Sequence, residues 1–268
     1  TVLEADESTR YLVLEMGASG PGHIAYLTDI APLDAAGVLM IGHAHMGGFG
    51  SIEGVAAAKA EIIAGLRPEG IAILNADDAR AAAMAELAPA RVLTFSARGR
   101  QADLRAENVD LDAAARAAFD LHLPGLAEPR RVQLAVAGVH NVSNALAAAG
   151  LALAAGLAPE LIADRLGSVS IESPHRMDIS ELSGDLLLID DSYNANIDSM
   201  TAALAVLPAL AGDRRRVVVI SEMLELGESS AADHARTGEL AARAGAAMLI
   251  GIGSTQEALE AARARGVE

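Results

Sequence analysis

The chain carries a single lysine, Lys59, and every other basic side chain in it is arginine. An amine withdrawn from water can shed its proton, and a guanidinium in practice cannot, so a solitary lysine is a candidate for chemistry that needs a free amine. Ser51 reads as a helix N-cap, with Glu53 well placed in the first turn. Counted from there, Ile52, Val55, Lys59, Ile62 and Leu66 share one apolar stripe, which predicts that Lys59 points toward a core. The competing structural reading is a stem lying on apolar surface with its tip in solvent. Glu15 and His45 each follow an apolar run upstream of this helix. A carboxylate, an imidazole and a lysine carrying carbon dioxide as a carbamate would form an oxygen-rich divalent site that suits Mg²⁺ and tolerates Mn²⁺. His43 is a rival ligand on the same face of an extended stretch, and spacing does not separate it from His45.

Three polar stretches compete for attention further along. Asn75-Ala-Asp-Asp78 follows an apolar run and starts a helix, where Asn and Asp serve as caps or as ligands. Gly138-Val-His-Asn-Val-Ser-Asn144 opens a long alanine-rich helix, where Asn141 and exposed backbone N–H groups could hold a nucleotide base; capping alone would also account for it. Asp190-Asp-Ser-Tyr-Asn-Ala-Asn196 places two carboxylates and two amides directly after a buried run without the Gly or Pro that most turns carry. That exceeds what a turn needs. The G-x-x-x-x-G-K-[ST] pattern is absent, and with one lysine no P-loop can exist in these residues. A phosphate cradle would have to lie upstream of Thr1, so the chain alone is expected not to hydrolyse ATP.

These groups need elements to hold them. Strands are predicted at 11–15, 36–42, 71–74 and 91–95, alternating with helices after Pro21, around Lys59 and at 78–87. Such alternation implies parallel βαβ units with helices on both faces, and ligands beyond the carboxyl ends of the strands. Between about 103 and 136 the shorter runs LRAENVDL, FDLHLPG and RRVQLAVAG, with turns at Pro124–Gly125 and Glu128–Pro129, read as an antiparallel extension at the sheet edge. Helices follow at 140–157 and 159–166. Strands at 186–190, 217–220 and 247–250 then alternate with helices at 199–210, 231–244 and 255–265. The expectation is an α/β fold: a central domain over 1–173 and a smaller Rossmann-like domain over 174–268 that ends early.

Composition narrows the class. Hydrophobic residues make up 52% and aromatics 2% of the 268, so the core must be Ala, Val, Leu and Ile. No run of about 18 apolar residues lacks a charge, and the acidic opening TVLEADESTR is no signal peptide. Without cysteine there is no disulfide framework and no thiolate site. A formal charge of −16 argues against nucleic acid. A cytoplasmic protein with no membrane insertion fits these properties.

Taken in order, LEMGASGPGHIAYL, GHAHMGGFGSIEGVAAAKAEI, ILNADD, GVHNVSNALAAAG, HRMD, IDDSYNANIDSM and EMLELG resemble the Mur ligase family of ATP-dependent peptidoglycan-precursor ligases. DDSYNAN favours the branch that adds D-alanyl-D-alanine to UDP-N-acetylmuramoyl-tripeptide. The resemblance implies that Glu15 and His45 bind a magnesium ion and that Lys59 is the carbamylated lysine positioning it. Asn75 and Asn141 would contact the adenosine of ATP, Arg176 its phosphates and Asp191 its ribose side. Tyr193, Asn194 and Asn196 would sit where the lobes close on nucleotide and dipeptide. The implied reaction forms an amide through an acyl phosphate, with small-molecule substrates and a monomeric enzyme. Other implied possibilities are a relative adding a different amino acid or glutamate, and a nucleotide-binding module that has lost its catalysis. The chain departs from the family pattern near Met40, where an asparagine is usual, at Ile197, where proline is usual, and at Ser221, where glycine is usual.

Overall fold

The computed structural model describes residues 2–42, 46–170 and 173–268. Helix α1 (His23–Ile30) leads into β1 (Leu33–Val38). Helices α2 (Met46–Phe49) and α3 (Ile52–Ala64) return the chain to β2 (Leu66–Asn75), and α4 (Ala79–Ala83) returns it to β3 (Arg91–Ser96). Strands β4 (Leu104–Leu111), β5 (Arg116–His122) and β6 (Arg130–Ala137) precede α5 (Asn141–Ala154) and α6 (Pro159–Leu166). One six-stranded sheet takes the strands in the order β1-β2-β3-β4-β5-β6. The first four run parallel, and β5 and β6 continue it antiparallel. The antiparallel extension expected from the turn residues is therefore present.

Side-chain alternation builds two cores on this sheet. Ala72 and Leu74 of β2 pack with Val55 and Ile63 of α3, while Ile73 faces the other way, into a cluster with Phe95, Phe119 and Leu146 of α5. Because both faces are covered, the parallel strands read as continuous apolar runs. Gly150 lets α5 settle on the sheet: a Cβ there would fall 2.8 Å from Cγ2 of Ile73.

The C-terminal part is smaller. A hairpin of β7 (Asp178–Leu182) and β8 (Leu186–Asp190) leads to α7 (Ile197–Ala211). Strand β9 (Val217–Ser221), α8 (Ser230–Arg243), β10 (Met248–Ile252) and α9 (Gln256–Arg263) complete it, with β9 and β10 paired in parallel. Leu204, Val218, Ile220, Ala241, Leu249 and Ala258 form its core. Val206 of α7 packs instead on Ala115 and Ala137, so α7 is shared with the larger sheet.

One predicted strand does not form. Residues 11–15 run without ladder hydrogen bonds, with Tyr11, Leu12 and Val13 exposed. The sheet stops at β1, and a cavity of about 1050 Å³ separates residues 9–16 from that edge. An apolar run becomes a strand only where a neighbour pairs with it, and among the described residues none does.

Candidate functional site

Helix α3 starts as its sequence predicts: the Ser51 hydroxyl accepts from the Gly54 N–H at 3.1 Å. Its buried residues are Val55, Ala58 and Ile63, and Lys59 is exposed. The expectation that Lys59 points into a core is thus corrected. Lys59 and Ile62 do share a face, as the helical phase requires, but where Ile62 also packs on the core, Lys59 borders the open cavity beside β1. Glu15, also exposed, lines the same cavity. The structure therefore brings Glu15 and Lys59 to one space, although the burial invoked for the amine is absent. His43 and His45 lie outside the described residues. Among the described residues no group of three His, Asp or Glu side chains is placed to hold a metal ion.

At the carboxyl ends of β1 and β2, Asn75 is buried, with both its amide nitrogen and its amide oxygen hydrogen-bonded to backbone. Its Nδ2 donates to the Leu39 carbonyl at 2.7 Å, and its Oδ1 accepts from the Asp77 N–H at 2.8 Å. Asp78 caps α4 through the N–H groups of Arg80 and Ala81 and also accepts from the Ile41 N–H at 2.7 Å. These contacts fix the chain that leads into residues 43–45. Asp198, in the first turn of α7, reaches the same segment: a Cβ on Gly42 would lie 2.8 Å from its Oδ2.

A second cluster forms where α5 begins. Asn141 Nδ2 donates to the Ala137 carbonyl at 2.7 Å, and its Oδ1 accepts from Asn144 at 2.9 Å. Beside it, burial pushes the His140 imidazole below its usual range, a shift opposed by the charge of Asp191. Burial pushes the Asp191 carboxyl up, opposed by the Met177 N–H at 3.0 Å and by the charges of His140 and Arg176. The Arg176 guanidinium lies 4.2 Å from the centroid of the Tyr193 ring, a cation–π stack with the ring more than half exposed. Arg176 and Tyr193 thus group with Asp191, whose charge acts on His140 at the N-terminus of α5, an end suited to anions and to polar base edges. Asn194 is exposed and accepts from the Ala195 N–H at 2.8 Å. Asn196 is the N-cap of α7 in a capping box with Ser199, so its amide oxygen is spent on the helix.

Three residues in these clusters escape sequence reasoning. His140 stands beside Asn141, and His175, whose Nδ1 is 2.7 Å from Asp190 Oδ2, stands beside Arg176. Both lie inside motifs already singled out, but only the tertiary fold shows their carboxylate partners. Asp198 carries no local signal beyond a favourable first-turn charge.

Residues 1–152 match the Mur ligase middle domain, more than half of the chain. The chain belongs to the Mur ligase family. Residues 175–267 of this family member match a second description, Mur ligase, glutamate ligase domain. The UDP-N-acetylmuramoyl-tripeptide--D-alanyl-D-alanine ligase of Mycobacterium tuberculosis (strain CDC 1551 / Oshkosh) is 43% identical over 258 residues, 95% of this chain and 50% of the relative. The ligase of that name from Escherichia coli (strain K12) is 37% identical over 268 residues, 99% of this chain and 58% of its own length. Among solved structures, MurF from Acinetobacter baumannii superposes with a TM-score of 0.88 at 35% identity, covering 97% of this chain and 56% of that one. The MurF ligase from Thermotoga maritima in complex with ADP gives 0.76 at 27% identity, covering 90% and 53%. This Mur ligase chain spans about half the length of the curated relatives it matches.

Proposed function

We propose that this chain supplies the middle and C-terminal parts of an ATP-dependent ligase that joins D-alanyl-D-alanine to UDP-N-acetylmuramoyl-tripeptide in the cytoplasm. The substrate's terminal carboxylate is phosphorylated by ATP, the dipeptide amine attacks the acyl phosphate, and phosphate leaves. The observation that carries this reading is the grouping of Arg176 and Tyr193 with Asp191, whose charge acts on His140, the neighbour of Asn141 at the start of α5. Arg176 neutralises phosphate charge, Tyr193 offers a flat apolar face, and Asp191 accepts from a ribose hydroxyl. The ADP complex of the Thermotoga maritima relative supports nucleotide binding in this architecture. The fold divides near Pro174, with 1–173 as the central domain and 174–268 as the second, and catalysis takes place in the crevice between them.

The metal reading fits the donor chemistry of the cavity beside β1. Glu15 offers carboxylate oxygens, and Lys59, once carbamylated, would offer two more oxygens to Mg²⁺ or Mn²⁺, with His45 completing the set. Such an ion would neutralise charge on the phosphoryl group in transfer. Exposure of Lys59 to the cavity leaves its amine open to carbon dioxide. Asn75 acts through the backbone it ties, holding the ends of β1 and β2 beside the nucleotide.

Nucleotide titration of the 268-residue chain tests the reading. With Mg²⁺ and ATP, amide resonances of Asn141, Arg176, Asp191 and Tyr193 should shift together, while phosphate release stays at background. Shifts confined to another surface, or release above that of a Lys59→Ala variant, would contradict it.

A further inference from the structure

The loop after β9, residues 222–229, is held by contacts that the ligase reading does not use. Glu222 Oε2 accepts from the Ser254 N–H at 3.0 Å, which ties the start of the loop to the turn after β10. Met223 and Leu226 are buried, Leu224 between them is largely exposed, and Glu225 and Gly227 both have φ near +60°. A non-glycine residue in that region is strained, so something must hold the loop there. The loop ends in a helical turn, Gly227–Ser229, that lies against α2 of the larger sheet. Its path therefore decides how the C-terminal part meets the entrance to the Lys59 helix.

The group in control is His234, which is 3% exposed on α8. Its Nε2 is 3.0 Å from the Met223 amide nitrogen, and its Nδ1 is 2.8 Å from the Ser230 carbonyl oxygen. A backbone N–H can only donate and a carbonyl can only accept, so the two contacts together specify a neutral ring with the proton on Nδ1. Ser229 adds a second clasp, its hydroxyl donating to Asp233 Oδ2 at 2.7 Å. We propose that His234 is a positioning residue: as the Nδ1–H tautomer it sets the path of residues 222–229 and, through them, the seat of the Gly227–Ser229 turn on α2. Alanine at 234 would leave the Met223 N–H without its acceptor in a buried place. Glutamine can present a carbonyl oxygen to that N–H and should stand in for the ring.

Nitrogen-15 spectroscopy of the intact 268-residue chain, without nucleotide, tests this independently of the ligase reading. The wild-type ring should show a protonated Nδ1 and an unprotonated Nε2. In His234→Ala, hydrogen exchange at Met223 should rise about tenfold, and resonances of Gly227–Ser229 and Phe49 should move. His234→Gln should return that exchange to within about twofold of wild type. Exchange at β10 (Met248–Ile252) should stay unchanged in both variants and so report intact folding. A proton on Nε2, unchanged Met223 exchange in His234→Ala, or a glutamine variant no better than alanine would each overturn the proposal. Should His234→Ala not fold, the wild-type tautomer and the glutamine variant decide it.

Discussion

Asp198 at the start of α7 reaches over Gly42, four residues past the end of β1, so closely that a Cβ there would press on its carboxylate. The built position of that Cβ lies 2.8 Å from Oδ2, so the carboxylate must shift if a methyl group enters. Because the carboxylate is the movable end of its side chain, Gly42→Ala should lose less than about 1 kcal/mol in denaturant unfolding. The same substitution in an Asp198→Ala background should lose clearly less, because the two sites are coupled by contact. Equal losses in both backgrounds would show that Gly42 answers to something else.

Asp190 sets an acid limit on the hairpin of β7 and β8. The Ser192 hydroxyl, then the His175 imidazole, hold its carboxyl well below the usual range, at about 2. A lowered carboxyl contributes stability that is present above the unfolded value near 3.8 and is lost as pH falls through about 2. Ser192→Ala should move the Asp190 titration up toward 3.8, as read by carboxyl carbon-13 shifts. It should also shrink the loss of stability between about 3.8 and 2, because less of the shift is left to lose. A titration that stays near 2 would point to His175 as the dominant partner.

The single lysine makes carbamylation easy to read. In carbon-13-labelled bicarbonate, one side-chain carbamate resonance is expected, and Lys59→Ala should abolish it because no other side-chain amine exists. Added Mg²⁺ should strengthen the resonance in the wild type and less so in Glu15→Gln, since a coordinated carbamate releases carbon dioxide more slowly. A spectrum with no signal that depends on Lys59 would remove carbamate from the account.

What the sequence made legible was local or periodic. Ser51 and Asp78 each occupy the cap that their residue types suggest, and each is seen accepting the expected backbone N–H groups, whereas the capping role of Asn196 came only with the fold. The apolar runs of β3, β8 and β9 and the 3.6-residue periods of α6 and α8 mark their elements within a residue or so, while β2 starts five residues before its predicted run. The likeness of DDSYNAN and AHMGGFGS to the family was likewise readable, and the family matches agree with it. Burial was not. The phase of α3 groups Lys59 with Val55 and Ile62, yet Val55 meets the core and Lys59 a cavity, because that depends on what lies across from each turn. Residues 11–15 failed for the same reason, since a strand is a relation between two segments. The approach of His140 to Asp191, like that of Asp198 to Gly42, joins distant parts of the chain that no spacing rule connects.

The most direct test is a chimera in which the N-terminal part of the Escherichia coli relative is fused ahead of Thr1. Purified with UDP-N-acetylmuramoyl-tripeptide, D-alanyl-D-alanine, Mg²⁺ and ATP, it should release phosphate only when both acceptor and dipeptide are present, with formation of the pentapeptide product. Lys59→Ala in the same chimera should lower that rate at least about a hundredfold, the scale expected when a group that organises transition-state charge is removed. A folded chimera that binds ATP yet forms no product, or one whose rate ignores Lys59, would contradict the account.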